Sequence, residues 1–354
     1  MFEALNPREP DAIIALMEMA KADTRAHKID LGVGVYKSDD GATPIMSAVK
    51  KAETLWLAEE TTKSYVSTLG NAAFRSLMCE TIFGKDNAVL TSGRLVSAQA
   101  AGGSGALRLG AEVIVTARPS ATVWVSTPTW ANHIPLLSSA GLKLESYPYY
   151  NRETLGVGFE DMMAHLDANV KAGDVLLLHG CCHNPTGADL SEAQWDTVIA
   201  FVLAKGLTPF IDLAYFGLGN GIAADTYGVR KMVASVPEAL VAASCSKNFA
   251  LYKERVGLIC LLANDAPSAK IAESELGLAQ RKLISMPPDH GAALVARILG
   301  DADLRAEWDA ELTEMRERMI DLRRRLSDAL NVQGGEVIAA AIKDQNGMFS
   351  MLPL

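Results

Sequence analysis

The chain has 354 residues, 49% of them hydrophobic and 21% charged, and its 33 basic residues against 42 acidic ones leave a formal charge of −9. That length suits a large domain with a smaller one, and an acidic balance without any cluster of Lys and Arg excludes nucleic acid as a partner. No apolar run is long enough to cross a bilayer, and the opening MFEALNPREP has acidic residues but no apolar core, so neither a membrane span nor a signal peptide is expected.

In chain order, PDAIIALMEMAKAD (10–23) reads as a helix leading into IDLGVGVYK (29–37). AAGGSGALR (100–108) is a glycine-rich turn that opens a helix. Strands are then expected at TVWVST (122–127), KLESYPYY (143–150), DVLLLHG (174–180), TPFIDLAY (208–215), ALVAASCS (239–246) and GLICLLA (257–263). Helix-period segments separate them. The clearest begins at Ser191 with the capping box SEAQ, sets Trp195, Val198, Ile199, Val202 and Leu203 on one face, and stops at Gly206. Apolar strands alternating with helices predict an α/β fold with a mostly parallel sheet covered on both faces. A long amphipathic helix over about 301–331 follows, with Leu304, Trp308, Leu312, Met315, Met319, Leu322, Leu326 and Leu330 on its apolar stripe. The expected division is a large domain at 46–291 and a smaller α+β one built from both chain ends, 1–45 and 292–354.

Ligands of open parallel sheets sit beyond the carboxyl ends of the strands, so polar residues there are the ones to collect. The turn at Gly103 and Ser104 offers backbone N–H groups to an anion, or is simply a tight turn; it fits neither the P-loop nor the GxGxxG pattern. HGCCHNPTG (179–187) places two histidines and two cysteines within five residues, which suggests zinc. Neighbours on an extended chain point to opposite faces, however, and no second cluster completes a site, so no metal is expected. Asp212 closes an apolar strand and needs a cation or donor, unless it caps a helix. Trp130 is core or a stacking surface, and His133 is a surface histidine or a partner to the site. Five cysteines, an odd number with no CxxC, suit a reducing cytoplasm.

Lys247 lies among small residues in SCSKNFALYKERVG, with Arg255 eight residues on. Pyridoxal phosphate needs a lysine for its Schiff base, an acid for its ring nitrogen, a phosphate cradle and donors to its phenolic oxygen. Lys247, Asp212, Gly103–Ser104 with Arg255, and Asn184 with Tyr215 meet those four needs. Arg255 suits the phosphate because its fork binds two oxygens at once.

From LGVGVYK and TTKSY, through HGCCHNPTG, IDLAY, SCSKNF, ERVG and PPDHGA, to QNGMFS, the sequence resembles the class I, fold type I aminotransferases of the bacterial aspartate and aromatic branch. The resemblance implies a cytoplasmic homodimer that moves an amino group between an L-amino acid and a 2-oxo acid. It implies that Lys247 carries the cofactor and shuttles a proton, that Asp212 holds the ring nitrogen, and that Asn184 and Tyr215 face the phenolic oxygen. Trp130 would stack on the ring with His133 behind it, and Gly103, Ser104, Ser244 and Arg255 would hold the phosphate. Tyr65 would reach the phosphate of the neighbouring subunit. Gly34 would lie in a loop over the substrate, beside Trp130 and Asn184, and Arg281 would bind its distal carboxylate across the dimer interface.

Departures from the family pattern lie near Arg281, where KLISMPP is apolar, and at Phe216, Ala131 and Ala250. The apolar residues around Arg281 widen the expected substrates from dicarboxylates to aromatic amino acids. Family chains continue past NGMFS into a segment whose arginine clamps the substrate α-carboxylate, so a C-terminally short form with slowed turnover is expected. The alternatives are a β-lyase or decarboxylase on the same cofactor, or a cofactor-binding protein with little turnover.

Overall fold

The computed structural model describes residues 1–7, 12–29 and 34–351. These fall into two compact units, Met1–Thr43 and Pro44–Leu354. In the first, the expected helix runs Ala12–Ala22. Residues 10, 11 and 30–33 of the predicted stretches lie outside the described residues, as do residues 352–354 at the end of the chain, and residues 34–37 adopt no regular structure.

The second unit contains β1 (Leu95–Ala101), β2 (Thr122–Thr127), β3 (Lys143–Pro148), β4 (Tyr150–Asn151), β5 (Gly156–Val157), β6 (Val175–His179), β7 (Thr208–Leu213), β8 (Ala239–Ser244) and β9 (Val256–Leu262). β4 and β5 form a separate ribbon, and the other seven make one sheet in the order β1-β9-β8-β7-β6-β2-β3. Neighbours from β8 to β3 run parallel, while β9 is antiparallel to both β8 and β1. The six expected strands all begin and end within two residues of their predicted limits. β1 was not among them.

Every residue of β8 and β9 is buried. Successive strand residues point to opposite faces, so the centre of the sheet is covered on both sides. The helix Gly102–Ala117 buries Leu107, Leu109 and Ile114 in a cluster with Val123, Phe210 and Ile259. Gly110 sets its distance from the sheet, because a Cβ there would stand 2.5 Å from Phe210 Cζ. The helix Glu192–Lys205 has the expected capping box, and Gly206 ends it at φ 63°; it buries Trp195, Val198, Ile199 and Val202, but Leu203 of the expected face is exposed.

The long C-terminal helix runs Ala302–Val332 and starts at Asp301, whose side chain accepts from the Asp303 and Leu304 N–H groups. Its stripe is buried from Leu304 to Met315, but Leu322 and Leu326 are exposed, so only the first half packs as the pattern predicts. Trp308 is fully buried in that half. It stacks on Phe249 with ring centroids 4.4 Å apart and donates its indole N–H to the Asn248 carbonyl at 2.8 Å. The helix therefore fixes the turn immediately after Lys247.

Candidate active site

Register explains why the collected residues meet. His179 of β6 pairs with Asp212 of β7, and Asp212 with Ala242 of β8, so these parallel strands end at one edge. β9 is antiparallel, so its start lies at the same edge, with Gly257 opposite Ser244. Ala101 at the end of β1 faces Val256, which brings the first turn of the helix Gly102–Ala117 there too. The result is a cavity of about 230 Å³ whose lining includes Gly103, Ser104, Trp130, Asn184, Asp212, Tyr215, Ser244, Lys247 and Arg255.

The Asp212 carboxylate is buried at the end of a hydrogen-bonded chain. Burial pushes its pKa up, but the His133 hydrogen bond and the fields of His133, His179 and Lys247 outweigh this and hold it below the ordinary value. A carboxylate only accepts, so His133 donates Nε2–H to Asp212 Oδ2 at 3.1 Å. In its neutral form His133 then accepts at Nδ1 from the Thr129 hydroxyl at 2.8 Å. The Thr129 oxygen in turn accepts from His179 Nε2–H at 3.1 Å. One threonine thus bridges the two histidines. Asp212 Oδ1 accepts nothing from the described residues, which leaves one buried, anionic oxygen at the cavity wall.

Lys247 Nζ lies 4.6 Å from the centre of the Tyr215 ring. Burial lowers its pKa, the Asp212 charge opposes that, and the Arg255 charge adds to it; the net direction is down. This lysine gives up its proton more readily than a surface one. Burial holds the Tyr215 phenol well above its usual range despite a 3.2 Å hydrogen bond donated by Asn184 Nδ2. Tyr215 therefore remains an O–H donor at neutral pH. Its ring also meets Phe349 edge-on at 5.9 Å, and Asn346 donates its backbone N–H to the Gly187 carbonyl at 2.7 Å. QNGMFS therefore packs against the HNPTG turn.

An anion cradle adjoins the amine. Arg255 donates to the Tyr252 carbonyl at 3.0 Å, and its guanidinium covers Gly102, where a Cβ would come within 2.4 Å of Nη2. Gly103 packs on Ser244, whose Oγ accepts from the Ser246 N–H. Glycine is required at Gly102 both for this approach and for its φ of 70°.

A family model described as aminotransferase class I and II matches residues 26–354. The chain belongs to that family. It is 44% identical over 350 residues to the aspartate aminotransferase of Haemophilus influenzae, covering 99% of this chain and 88% of that one. It is also 44% identical over 352 residues to the aromatic-amino-acid aminotransferase of Paracoccus denitrificans, with the same coverage. Among solved structures, the aromatic-amino-acid aminotransferase of Burkholderia pseudomallei, described as covalently bound to pyridoxal phosphate, aligns with a TM-score of 0.96 at 41% identity, over 99% of this chain and 88% of that one.

In this aminotransferase, most of the residues expected from sequence line the one cavity, and His133 lies behind it, fully buried, with its ring edge-on to Trp130 at 5.2 Å. Two do not join them. Tyr65 is 92% exposed, and Arg281 is exposed on the helix Ala266–Leu283, where among the described residues it reaches only Ser285 Oγ. Gly34 belongs to the first unit. Sequence reasoning missed Thr129, Tyr252 and Ser246, and it weighed His179 and Cys181 only as zinc ligands. The Cys and His side chains of 179–183 do not converge: His179 stacks on His183, while Cys181 and Cys182 gather with Asp225. Asp225 already accepts from the Gly217, Gly219 and Asn220 N–H groups. Among the described residues no helix is long and apolar enough to cross a membrane.

Proposed function

We propose that this aminotransferase moves the amino group between an L-amino acid (aspartate, glutamate or an aromatic one) and a 2-oxo acid, with pyridoxal phosphate bound at Lys247. One observation carries the reading. A buried amine of lowered pKa, a buried carboxylate kept anionic and an arginine-lined cradle open into one cavity. The residues fit the group, because Asp212 Oδ1 is an unused acceptor and the space at Gly102 and Gly103 admits no side chain.

When bound, pyridoxal phosphate supplies a carbonyl for the amino group and a ring that draws off the electron pair left at the substrate α-carbon. Asp212 would accept the ring N–H and keep that nitrogen charged. Tyr215 and Asn184 donate to the phenolic oxygen, and Trp130 offers an aromatic face. Arg255, Ser104, Ser244 and the helix N-terminus at Gly103 bind the phosphate. Lys247, once the substrate amine has taken its place on the cofactor, would be free to take a proton from the substrate α-carbon.

The substrate range rests on the names of the relatives and on the apolar sequence around Arg281. Tyr65 and Arg281, exposed and away from their own cavity, support a homodimer in which each completes the partner's site. Gly34 belongs to the substrate side of the same proposal, as does the division into 46–291 and a smaller domain of 1–45 with 292–354. The five cysteines are all free, which supports a reducing, cytoplasmic setting.

Borohydride reduction of the cofactor-loaded protein, followed by peptide mapping, tests the site: the label is expected on Lys247. A label on another lysine, or release of ammonia or CO2 in place of a new amino acid, would overturn the proposal. Arg281→Ala is expected to lower kcat/KM for aspartate about tenfold or more, the scale of one charge-assisted pair, and to spare aromatic substrates. Equal losses for both would remove Arg281 from substrate recognition.

A further inference from the structure

Cys79 and Cys260 are separated by 181 residues, yet their Sγ atoms lie 3.7 Å apart. Cys79 is on the helix Ala72–Phe83, and Cys260 is on β9, where it pairs with Ser97 of β1 and Val241 of β8. Neither takes part in the chemistry above. Cys260 is 1% exposed and Cys79 6%, and Cys79 forms part of the wall of a second cavity with Arg75, Ser97 and Lys85. Arg75 is anchored there by donating to the Ser97 carbonyl at 2.8 Å.

The remaining cysteines offer no equivalent pair across the fold. Cys245 faces the Met78 thioether at 3.9 Å, and Cys181 and Cys182 are chain neighbours. Only Cys79 and Cys260 join two elements distant in sequence, with Cys79 in the wall of that cavity and Cys260 buried against it.

We propose that Cys79 and Cys260 form a redox site at which a small hydroperoxide closes a disulfide, stapling the helix Ala72–Phe83 to β9. The Cys79 thiolate attacks the terminal peroxide oxygen, the O–O bond breaks, and the departing hydroxide or alkoxide takes up a proton and leaves as water or an alcohol, while Cys79 becomes a sulfenic acid. Cys260 sulfur then attacks the Cys79 sulfur and loses its proton, and the sulfenic oxygen leaves as water. Two thiols give up two electrons and two protons, and one hydroperoxide is reduced. The roles are not interchangeable. The Cys260 hydrogen bond, helped by Ser97 and the Arg75 charge against burial, draws the Cys79 thiol below its usual value. Hydrogen bonding to Cys79 and burial push Cys260 far above its own. Thiolate character and access thus coincide at Cys79.

The test uses the cofactor-loaded protein treated with hydrogen peroxide, alkylated, and digested without reduction. The expected product is a linked pair of peptides containing Cys79 and Cys260, two hydrogens lighter than their sum and separated by dithiothreitol. The intact oxidised chain should migrate faster on a non-reducing gel, because a long loop has been closed, and should melt a few degrees higher than the reduced form. Cys260→Ser should abolish the link and leave a sulfenic acid on Cys79 that dimedone traps; Cys79→Ser should give neither. A link only between Cys181 and Cys182, or overoxidation of Cys79 without any link, would overturn the proposal. Both are read on the wild-type chain, so the result does not depend on how the variants fold.

Discussion

Asp212 and Tyr215 lie three residues apart and illustrate how differently two buried polar groups can serve one site. Asp212 is held as an anion against its own burial, and a charge in a dry cavity acts more strongly than in water. Asp212→Asn keeps the shape but removes the charge, and is expected to cost about a hundredfold or more in kcat, as loss of a preorganised electrostatic group does. Tyr215→Phe removes one neutral donor worth about 1 kcal/mol, which is a change of about tenfold or less. Steady-state kinetics of both variants at saturating cofactor decide the point, and equal losses would deny Asp212 its electrostatic role. Asp212, Lys247 and Arg255 were legible in the sequence because each is a polar residue of rare type at the end of an apolar run. Thr129 was not, because a threonine in STPTW carries no chemical signal until the fold sets it between His133 and His179.

Among the elements, strands with continuous apolar runs were read nearly to the residue, whereas β1 was passed over. Its sequence, LVSAQAA, has too few large apolar side chains to stand out. Its polar Gln99 is nonetheless fully buried, accepting from the Asn71 N–H and donating to the Pro288 carbonyl. Burial of such a residue depends on partners far along the chain, which no local pattern reveals. The C-terminal helix shows the converse. Its stripe continues past Met315, but Leu322 and Leu326 face solvent, so periodicity gave the helix without giving the extent of its contact. A similar balance governs Gly228 in the helix Tyr227–Ser235, where a Cβ would lie 2.2 Å from the Trp195 ring. Alanine there gains about 1 kcal/mol of helix propensity, but overpacking a close-fitted contact costs about 1–3 kcal/mol. Gly228→Ala is therefore expected to destabilise the protein despite the better helix former, seen as a lower urea midpoint with unchanged slope. A higher midpoint would mean that the indole yields without strain.

At the scale of the whole molecule, burial of the aromatic stack behind the site couples stability to pH. His183 stacks on Tyr149 with centroids 4.1 Å apart and on His179 at 4.0 Å. Burial, aided by the neighbouring His133, lowers its pKa to about 3, and burial takes His179 well below the usual value as well. Below an ordinary histidine pKa of 6.5 the unfolded chain binds protons that the folded chain refuses. Stability is therefore lost as pH falls from about 6.5 towards about 3, by up to about 1.4 kcal/mol per pH unit for each histidine. Asp189 works in the opposite sense. Burial raises its carboxyl to about 6 although the His183 and Cys182 N–H groups donate to it, so the folded chain takes up that proton first and gains stability between about pH 6 and 4. Two histidines outweigh one aspartate, and the three together give a net loss over that interval. His183→Gln removes one of the two opposing protons. Its loss of stability between pH 6 and 4, measured by urea unfolding at fixed pH, is expected to be shallower than wild type by about 1.4 kcal/mol per pH unit, whatever its stability at neutral pH. Parallel pH profiles for the two proteins would mean that His183 is protonated inside the fold, and the stacked rings would then be a charged rather than a neutral layer behind Asp212.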